Sequence, residues 1–196
     1  MGEEIFKFST SVFKNDLIIA AKLLGVWNGN LMVFEDENDT EALMDFMVFE
    51  KLTNHAPAYQ RFYESKPKLT DLQQENLNGM INFHSSLFEV KHIDSTTHLV
   101  VFVDLLDKDK KEYLLMDVGL SRTASIGLIL YTRLIPIRDV YITSGLGFVF
   151  GNSLKEKLLS AISLAFFKKR RKLTSTEMFL LFYEKNRQHG LNTRAE

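Results

Sequence analysis

The stretch that decides the fold runs from Ser85 to Phe150 and begins SSLFEVKHIDSTTHLVVFVD (85–104). Apolar residues recur at alternate positions in Phe88 and Val90, and again in Leu99, Val101 and Val103, which is the period of a β-strand. Polar turn residues 94–97 separate the two runs, so the sequence predicts a hairpin. With Ser95 and Thr96 as a two-residue loop, His92 pairs with Leu99 and Ile93 with His98. That register turns one apolar face inward.

More short strands follow the hairpin. Turn residues 107–110 lead to a predicted strand at 112–118, and glycines break the chain before the next strands at 128–135, 140–143 and 147–150. Five or six short antiparallel strands in this length are typical of a strongly curled sheet or a small closed barrel. The sequence therefore predicts a central curled antiparallel sheet or small β-barrel.

Helices are predicted on both sides of this β module. Residues 1–84 are mostly helical in pattern, with a helix from Asp16 to Leu24 and a capping box at Thr70–Gln73 that opens another. A helix starting near Gly151 runs to about Lys172, and a second capping box at Thr174–Glu177 opens the last helix, which ends at Gly190. The predicted fold class is α+β in one compact unit, 1–196: a helical segment (1–84), an antiparallel β module (85–150) and a helical hairpin (151–196).

Composition excludes several classes of protein. The chain has 196 residues, 45% of them hydrophobic, and no cysteine. Disulfides, thiolate zinc sites, iron–sulfur clusters and cysteine nucleophiles are therefore excluded. The apolar runs are shorter than the ~20 residues of a spanning helix. We expect a soluble, cytoplasmic protein with no membrane span.

The polar residues form no recognised catalytic set. There is no G-x-S-x-G elbow and no Gly-rich phosphate loop, so a non-enzyme without a cofactor is favoured. An enzyme that uses carboxylates and His92 or His98 in a cleft is the third class left open. His84, His92, Asp94 and His98 suggest a metal site, but the two-residue hairpin puts His92 and His98 on opposite faces, so we expect no metal there. The spacing of Asp104, Asp107 and Asp109 does not fit a calcium loop and indicates a solvated turn.

One anion-binding site is predicted, in a run of five cations: Lys168, Lys169, Arg170, Arg171 and Lys172. Five adjacent cations suit phosphate oxygens of nucleic acid or lipid. Cations at a helix C-terminus also stabilise the helix dipole and pair within the chain, and this structural interpretation is favoured. Nucleic-acid or polyanion binding is thus the alternative function.

The leading hypothesis is a non-enzymatic binding or adaptor module with an unknown protein partner. An acidic region at 35–50 is set against the basic region at 155–172, so each could face its own partner. A homodimer through the C-terminal helices is a further expected partnership, because Met178 to Tyr183 presents bulky apolar residues on nearly every side.

Several short segments resemble a known group of sequences. They include 87–90, 103–107, 117–121, 127–136 and the pair Ser144–Gly145. Together they resemble the β-rich region of uncharacterised bacterial SEC-C-motif-containing proteins. The resemblance implies a helical segment followed by a small β module. The zinc knuckle that names those proteins needs cysteines, which this chain lacks, so zinc and the partnerships tied to it are not implied.

Overall fold

The structure is a computed structural model and describes residues 1–12, 14–35, 37–52 and 55–191. The chain divides into two compact units, Met1–Asn82 and Phe83–Glu196. Each unit is described by itself below. The architecture is α+β, with helices before and after a five-stranded sheet, as the sequence predicts. The expectation of one compact unit stays a prediction.

The first unit is helical. Its helices are α1 (Gly2–Val12), α2 (Lys14–Leu23), α3 (Glu37–Phe49), α4 (Ala58–Glu64) and α5 (Asp71–Ile81). α1 contacts α2, α3 and α4, and α4 contacts α5. A buried ion pair joins Asp16 of α2 to Arg61 of α4, with 3.0 Å between Oδ2 and Nη2. The predicted capping box at the start of α5 is confirmed, with Thr70 and Gln73 satisfying each other's backbone amides.

The second unit is built on five strands. They are β1 (His84–Asp94), β2 (Leu99–Asp104), β3 (Glu112–Met116), β4 (Ile129–Ile137) and β5 (Val140–Phe150). They close in the order β1-β2-β3-β5-β4, because β1 pairs with both β2 and β4. All pairings are antiparallel except β3 with β5, which is parallel and has one registered pair, Leu115 with Tyr141. The predicted curled sheet or small barrel is confirmed. The ring of strands closes through one short parallel pairing, between β3 and β5.

The five strands thus form a small, partly open barrel. A short helix, α6 (Val118–Thr123), lies between β3 and β4. Its Leu120 packs against the interior core together with Ala124 and Leu128 from the following loop. α6 therefore closes one end of the barrel. At the other end lie the beginning of β1 and the end of β2, which meet at the pair Phe88–Asp104.

The hairpin register expected from the sequence is wrong. His92 pairs with Val101, Ile93 with Val100 and Asp94 with Leu99, after an irregularity at Lys91. The loop is longer than two residues because the Asp94 carboxylate accepts hydrogen bonds from the backbone amides of Thr96 and Thr97, at 2.9 and 3.3 Å.

The change of register exchanges the two faces of β2. Val100 and Phe102 are completely buried inside the barrel, whereas Leu99, Val101 and Val103 are only partly buried on its outside. The barrel interior is apolar, and its core consists of Phe88, Val90, Val100, Phe102, Tyr113, Leu115, Leu130, Leu134 and Val149. Since β2 is apolar on both faces, alternation could not choose between them.

The chain ends in a helical hairpin. A 3-10 turn, Asn152–Leu154, leads into α7 (Lys155–Lys169), and α8 (Ser175–His189) follows after a turn. The capping box that opens α8 is confirmed, with Thr174 and Glu177 satisfying each other's backbone. α8 packs on the outer face of β4 and β5, where the Phe182 ring stacks on Tyr131 with 4.4 Å between centroids. Phe179 packs edge-on against Phe148.

Candidate functional site

The outer face of β2 and β3 carries an apolar surface. Its members alternate with the interior residues of the two strands: Leu99, Val101, Val103, Leu114 and Met116. They stand in direct cross-strand pairs, Val101 with Leu114 and Leu99 with Met116. Met116 is 50% exposed and Leu114 40%. We call this set the outer apolar face.

Polar groups border the outer apolar face. His92 and Asp94 on β1 pair with Val101 and Leu99, which places them beside the apolar rows. Along one side, Lys91 and Glu112 form an exposed ion pair. An apolar centre with a polar border is the usual composition of a protein–protein contact surface.

The opposite side of the barrel has no such exposure. The outward residues Tyr131, Phe148 and Phe150 of β4 and β5 are buried, and aromatic residues of α8 pack on each of them. The chain therefore covers one apolar face of its barrel with its own helix and leaves the other exposed to solvent.

A polar cluster lies at the barrel end opposite α6. The buried Asp104 carboxylate accepts hydrogen bonds from Ser86 Oγ (2.5 Å) and from the amides of Leu106 (2.8 Å) and Asp107 (3.2 Å). His84 Nε2 lies 2.7 Å from its other oxygen. Burial raises the pKa of Asp104, but the hydrogen bonds from His84 and Ser86 outweigh it and hold this pKa below its ordinary value.

This cluster is arranged for structure rather than nucleophilic catalysis. The Ser86 hydroxyl donates its hydrogen bond to the Asp104 carboxylate, which His84 also contacts, whereas an activated serine hydrogen-bonds to a histidine base. The His84 ring stacks on Tyr113 with 5.4 Å between centroids. Burial raises the pKa of Tyr113, and Lys111 over its ring partly offsets this. Asp104 thus anchors the β2–β3 turn through the amides of Leu106 and Asp107.

The histidines considered as metal ligands are dispersed. His84 contacts Asp104, His92 is exposed on β1, and His98 lies in the hairpin turn with Nδ1 3.4 Å from Ser121 Oγ. Across residues 1–12, 14–35, 37–52 and 55–191, no three histidine, aspartate or glutamate side chains form a group that could hold a metal ion.

The five predicted anion-binding residues are all exposed, but their charges are not equivalent. Glu177 binds two of them: Arg171 through two hydrogen bonds of 2.7 Å, and Lys169 at 3.2 Å. Those hydrogen bonds, from Arg171 above all, hold the pKa of Glu177 far below its usual range. Lys168, Arg170 and Lys172 form no ion pair within the described part of the chain. Three cations are therefore available to an outside anion.

Sequence reasoning missed the exposed apolar residues beside these cations. Leu164 is 54% exposed, Phe166 49% and Phe167 79%. The apolar pattern of α7 predicts a stripe with Phe166 beside it, yet Leu158 is the one α7 residue that is buried. The signal available in the sequence is the pair Phe166–Phe167 directly before Lys168. We call residues 164–172 the α7 tip.

The apolar run of α8 is used largely within the chain. Phe179, Phe182 and Tyr183 are buried, and their rings contact the barrel. This packing on the barrel explains part of the apolar character of α8. The homodimer, which was predicted from that character, stays a prediction. No helix in the described ranges is both long and apolar enough to traverse a lipid bilayer.

Comparison with known proteins identifies a family but no described relative. No curated protein and no solved structure matches the chain. A family model described as a family of unknown function, DUF7986, matches residues 3–196, so the chain belongs to that family.

Proposed function

We propose that this member of the DUF7986 family is a non-catalytic binding module that holds a protein partner on the outer apolar face of its barrel. The observation that carries the proposal is the exposure of Leu114 and Met116 on a face where five of the six outward residues of β2 and β3 are apolar, the sixth being Glu112 at its border. A contiguous apolar surface with a polar border is typical of a protein-binding site.

The position of this face supports the same function. A known five-stranded barrel, the OB-fold, binds oligonucleotides and oligosaccharides on the face of its strands 2 and 3, and by analogy we infer that this chain uses the same face of its barrel. Oligonucleotide-binding examples depend on aromatic platforms and a basic groove. Here the outer apolar face presents aliphatic side chains and Met116, and the neighbouring Lys91 is paired with Glu112. That chemistry favours a polypeptide with apolar side chains over a nucleic acid. The side chains of this face, rather than its strand order, favour the polypeptide partner.

A photo-crosslinking amino acid at position 114 tests the proposal. We expect a discrete covalent adduct with one partner protein in cells, and no such adduct from the same group at position 108, since Lys108 is exposed in the β2–β3 turn. Adding Met116→Lys should remove the adduct while changing the free energy of unfolding by less than about 0.5 kcal/mol, because the side chain is half exposed.

Two results would contradict the proposal. One is equal crosslinking from positions 114 and 108. The other is an adduct that survives Met116→Lys. An adduct of twice the chain's own mass would identify the partner as a second copy, which the homodimer prediction also allows.

Nucleic-acid binding through Lys168 to Lys172 is a second candidate, supported by the three cations without an ion pair. Three phosphate contacts would make log K fall by roughly 2 to 3 for each tenfold increase in salt. Titration of a single-stranded oligonucleotide at several salt concentrations measures this slope. A slope near zero, or no binding at low salt, would remove this candidate.

A further inference from the structure

The α7 tip combines exposed apolar and basic residues on one side of a helix. Leu164, Phe167 and Lys168 stand at positions i, i+3 and i+4, which places them together on the helix surface. Isolated exposed apolar residues are ordinary on proteins. Three such side chains among four consecutive positions, two of them aromatic, are more than a solvated helix end requires.

α7 is held at both ends, while the apolar side chains of its last turn stay exposed. Near its start, Lys155 contacts Glu89 of β1 at 2.6 Å and Leu158 is buried. A second contact, between Lys157 and His189 of α8, also lies in the first turn. At the far end of the helix, Lys169 pairs with Glu177 of α8. The apolar side chains of the last turn, Phe166 and Phe167, nevertheless keep about half or more of their surface in solvent.

The cations surround the apolar side chains. Lys168 follows Phe167 directly, and Arg170 adopts a left-handed conformation (φ +54°) that ends the helix and starts the turn containing Lys172. All three are exposed and form no ion pair among the described residues. Their charge is complementary to a surface of phosphate or carboxylate headgroups.

We propose that the α7 tip docks the protein on membrane surfaces rich in anionic lipid. Phenylalanine and leucine side chains enter the boundary between headgroups and acyl chains, and lysine and arginine attract anionic headgroups. This site is separate from the outer apolar face and does not depend on the function proposed for it.

The apolar composition favours lipid over nucleic acid as the occupant. Single-stranded nucleic acids bind in basic grooves whose aromatic rings stack on successive bases. Phe166 and Phe167 are consecutive helix residues, so their side chains diverge by about 100° and do not form one stacking platform. Leu164 has no ring to stack. A fluid bilayer boundary accepts Leu164 and Phe167, which share one side of the helix, without requiring a fixed stacking geometry.

Co-flotation of the full chain with lipid vesicles tests the proposal. We expect binding to phosphatidylcholine vesicles that contain about one-third phosphatidylserine, and weak binding to vesicles of phosphatidylcholine alone. Lys168→Gln and Lys172→Gln should each lower the partition coefficient about fivefold. Phe167→Ser should lower it by about five- to tenfold, because most of that ring lies in solvent when the protein is unbound.

Two matched variants control for charge and apolar content. Lys108→Gln removes an exposed cation from the β2–β3 turn, and Ile126→Ser removes an apolar side chain that is exposed in the loop after α6. Both should bind anionic vesicles as the unmodified chain does. Arg170→Gly removes a cation from the tip while placing glycine at a left-handed position, so weaker binding by this variant would not reflect unfolding.

Three outcomes would overturn the proposal. The first is absence of binding to anionic vesicles. The second is full binding by Phe167→Ser, which would show that the aromatic ring does not enter the bilayer. The third is a single-stranded oligonucleotide that binds the chain and competes fully with the vesicles while Phe167→Ser has no effect; that result would assign the tip to nucleic acid.

Discussion

Glu177 holds Arg171 through two hydrogen bonds of 2.7 Å, and the same carboxylate also serves the capping box that opens α8. One acidic side chain therefore both starts a helix and neutralises part of the basic run. With Lys169 also on Glu177, the number of cations available at the α7 tip depends on this residue.

Glu177→Gln should strengthen docking on anionic vesicles. Glutamine can still accept the Thr174 amide in a capping box, so we expect α8 to keep its start and its helical circular-dichroism signal. Lys169 and Arg171 would lose their carboxylate partner. If each released cation raises the partition coefficient about fivefold, the two together should raise it by up to about 25-fold, as measured by co-flotation. Unchanged or weaker vesicle binding would mean that these two cations do not face the membrane.

Asp104 should make stability depend on acidic pH. Hydrogen bonds from His84 and Ser86 hold its pKa below the ordinary value of 3.8, whereas the unfolded chain has that ordinary value. Because the folded pKa is the lower one, the stabilisation is complete above about pH 4 and is lost as pH falls through the folded pKa. Urea unfolding between pH 7 and pH 3 should show this loss.

Asp104→Asn should remove that part of the pH dependence. At pH 7 the variant should lose about 1–3 kcal/mol of unfolding free energy, because a buried hydrogen-bond network loses its charge. Asp109→Asn, in the exposed β2–β3 turn, is the control and should change stability by less than about 0.5 kcal/mol. An unaltered acid slope in Asp104→Asn would show that other carboxylates cause it.

Alanine substitutions of two phenylalanines, one buried and one exposed, should change the unfolding free energy by very different amounts. Phe182 is completely buried and stacks on Tyr131, so Phe182→Ala should lower the unfolding free energy by about 3–5 kcal/mol. Phe167→Ala should change it by less than about 0.5 kcal/mol, because its ring is mostly in solvent. Chemical denaturation of both variants gives the comparison. Similar losses would contradict the packing of α8 on the barrel or the exposure of the α7 tip.

Glycine at position 127 is favoured both by its backbone conformation and by a close neighbouring side chain. Its φ is +87°, and a Cβ there would lie 3.1 Å from Asn152 Nδ2. Gly25 has a similar φ of +75° with no atom within 4 Å of such a Cβ. Gly25→Ala should lose about 1–2 kcal/mol from backbone strain alone. Gly127→Ala should lose more unfolding free energy than Gly25→Ala. Equal losses for the two variants in urea unfolding would mean that Asn152 moves aside freely.

The parts of the fold with local signals were predictable from the sequence. The capping boxes at Thr70 and Thr174 each need only a residue pair three positions apart, and both form as predicted. Turn residues between short apolar runs likewise located the β module. The Asn28–Gly29 turn signal and the apolar residues 31–34 also predict a short strand, but that segment has only an isolated bridge between Trp27 and Met32.

Other features depend on interactions between distant segments. The run Leu99 to Val103 is apolar at every position, so only the turn and the irregularity at Lys91 decide which residues face the interior. The sequence did not predict the short helix α6, because its glycine and serine residues indicated a loop. The helix is stabilised by the Asp117 side chain, which accepts a hydrogen bond from the Leu120 amide. The exposure of Phe167 depends on how the other elements pack beside α7, which an apolar pattern cannot show.

The single parallel pair between Leu115 and Tyr141 gives the barrel a preferred place to come apart. Every other neighbouring pair of strands has a ladder of several registered residues, whereas this junction relies mainly on side chains, including the edge-on contact of Tyr113 with Tyr141. Partial unfolding should therefore begin there and leave an open, still twisted ribbon. In native-state hydrogen exchange, amides that face this junction would be the first of the barrel to exchange, before those between β1 and β4.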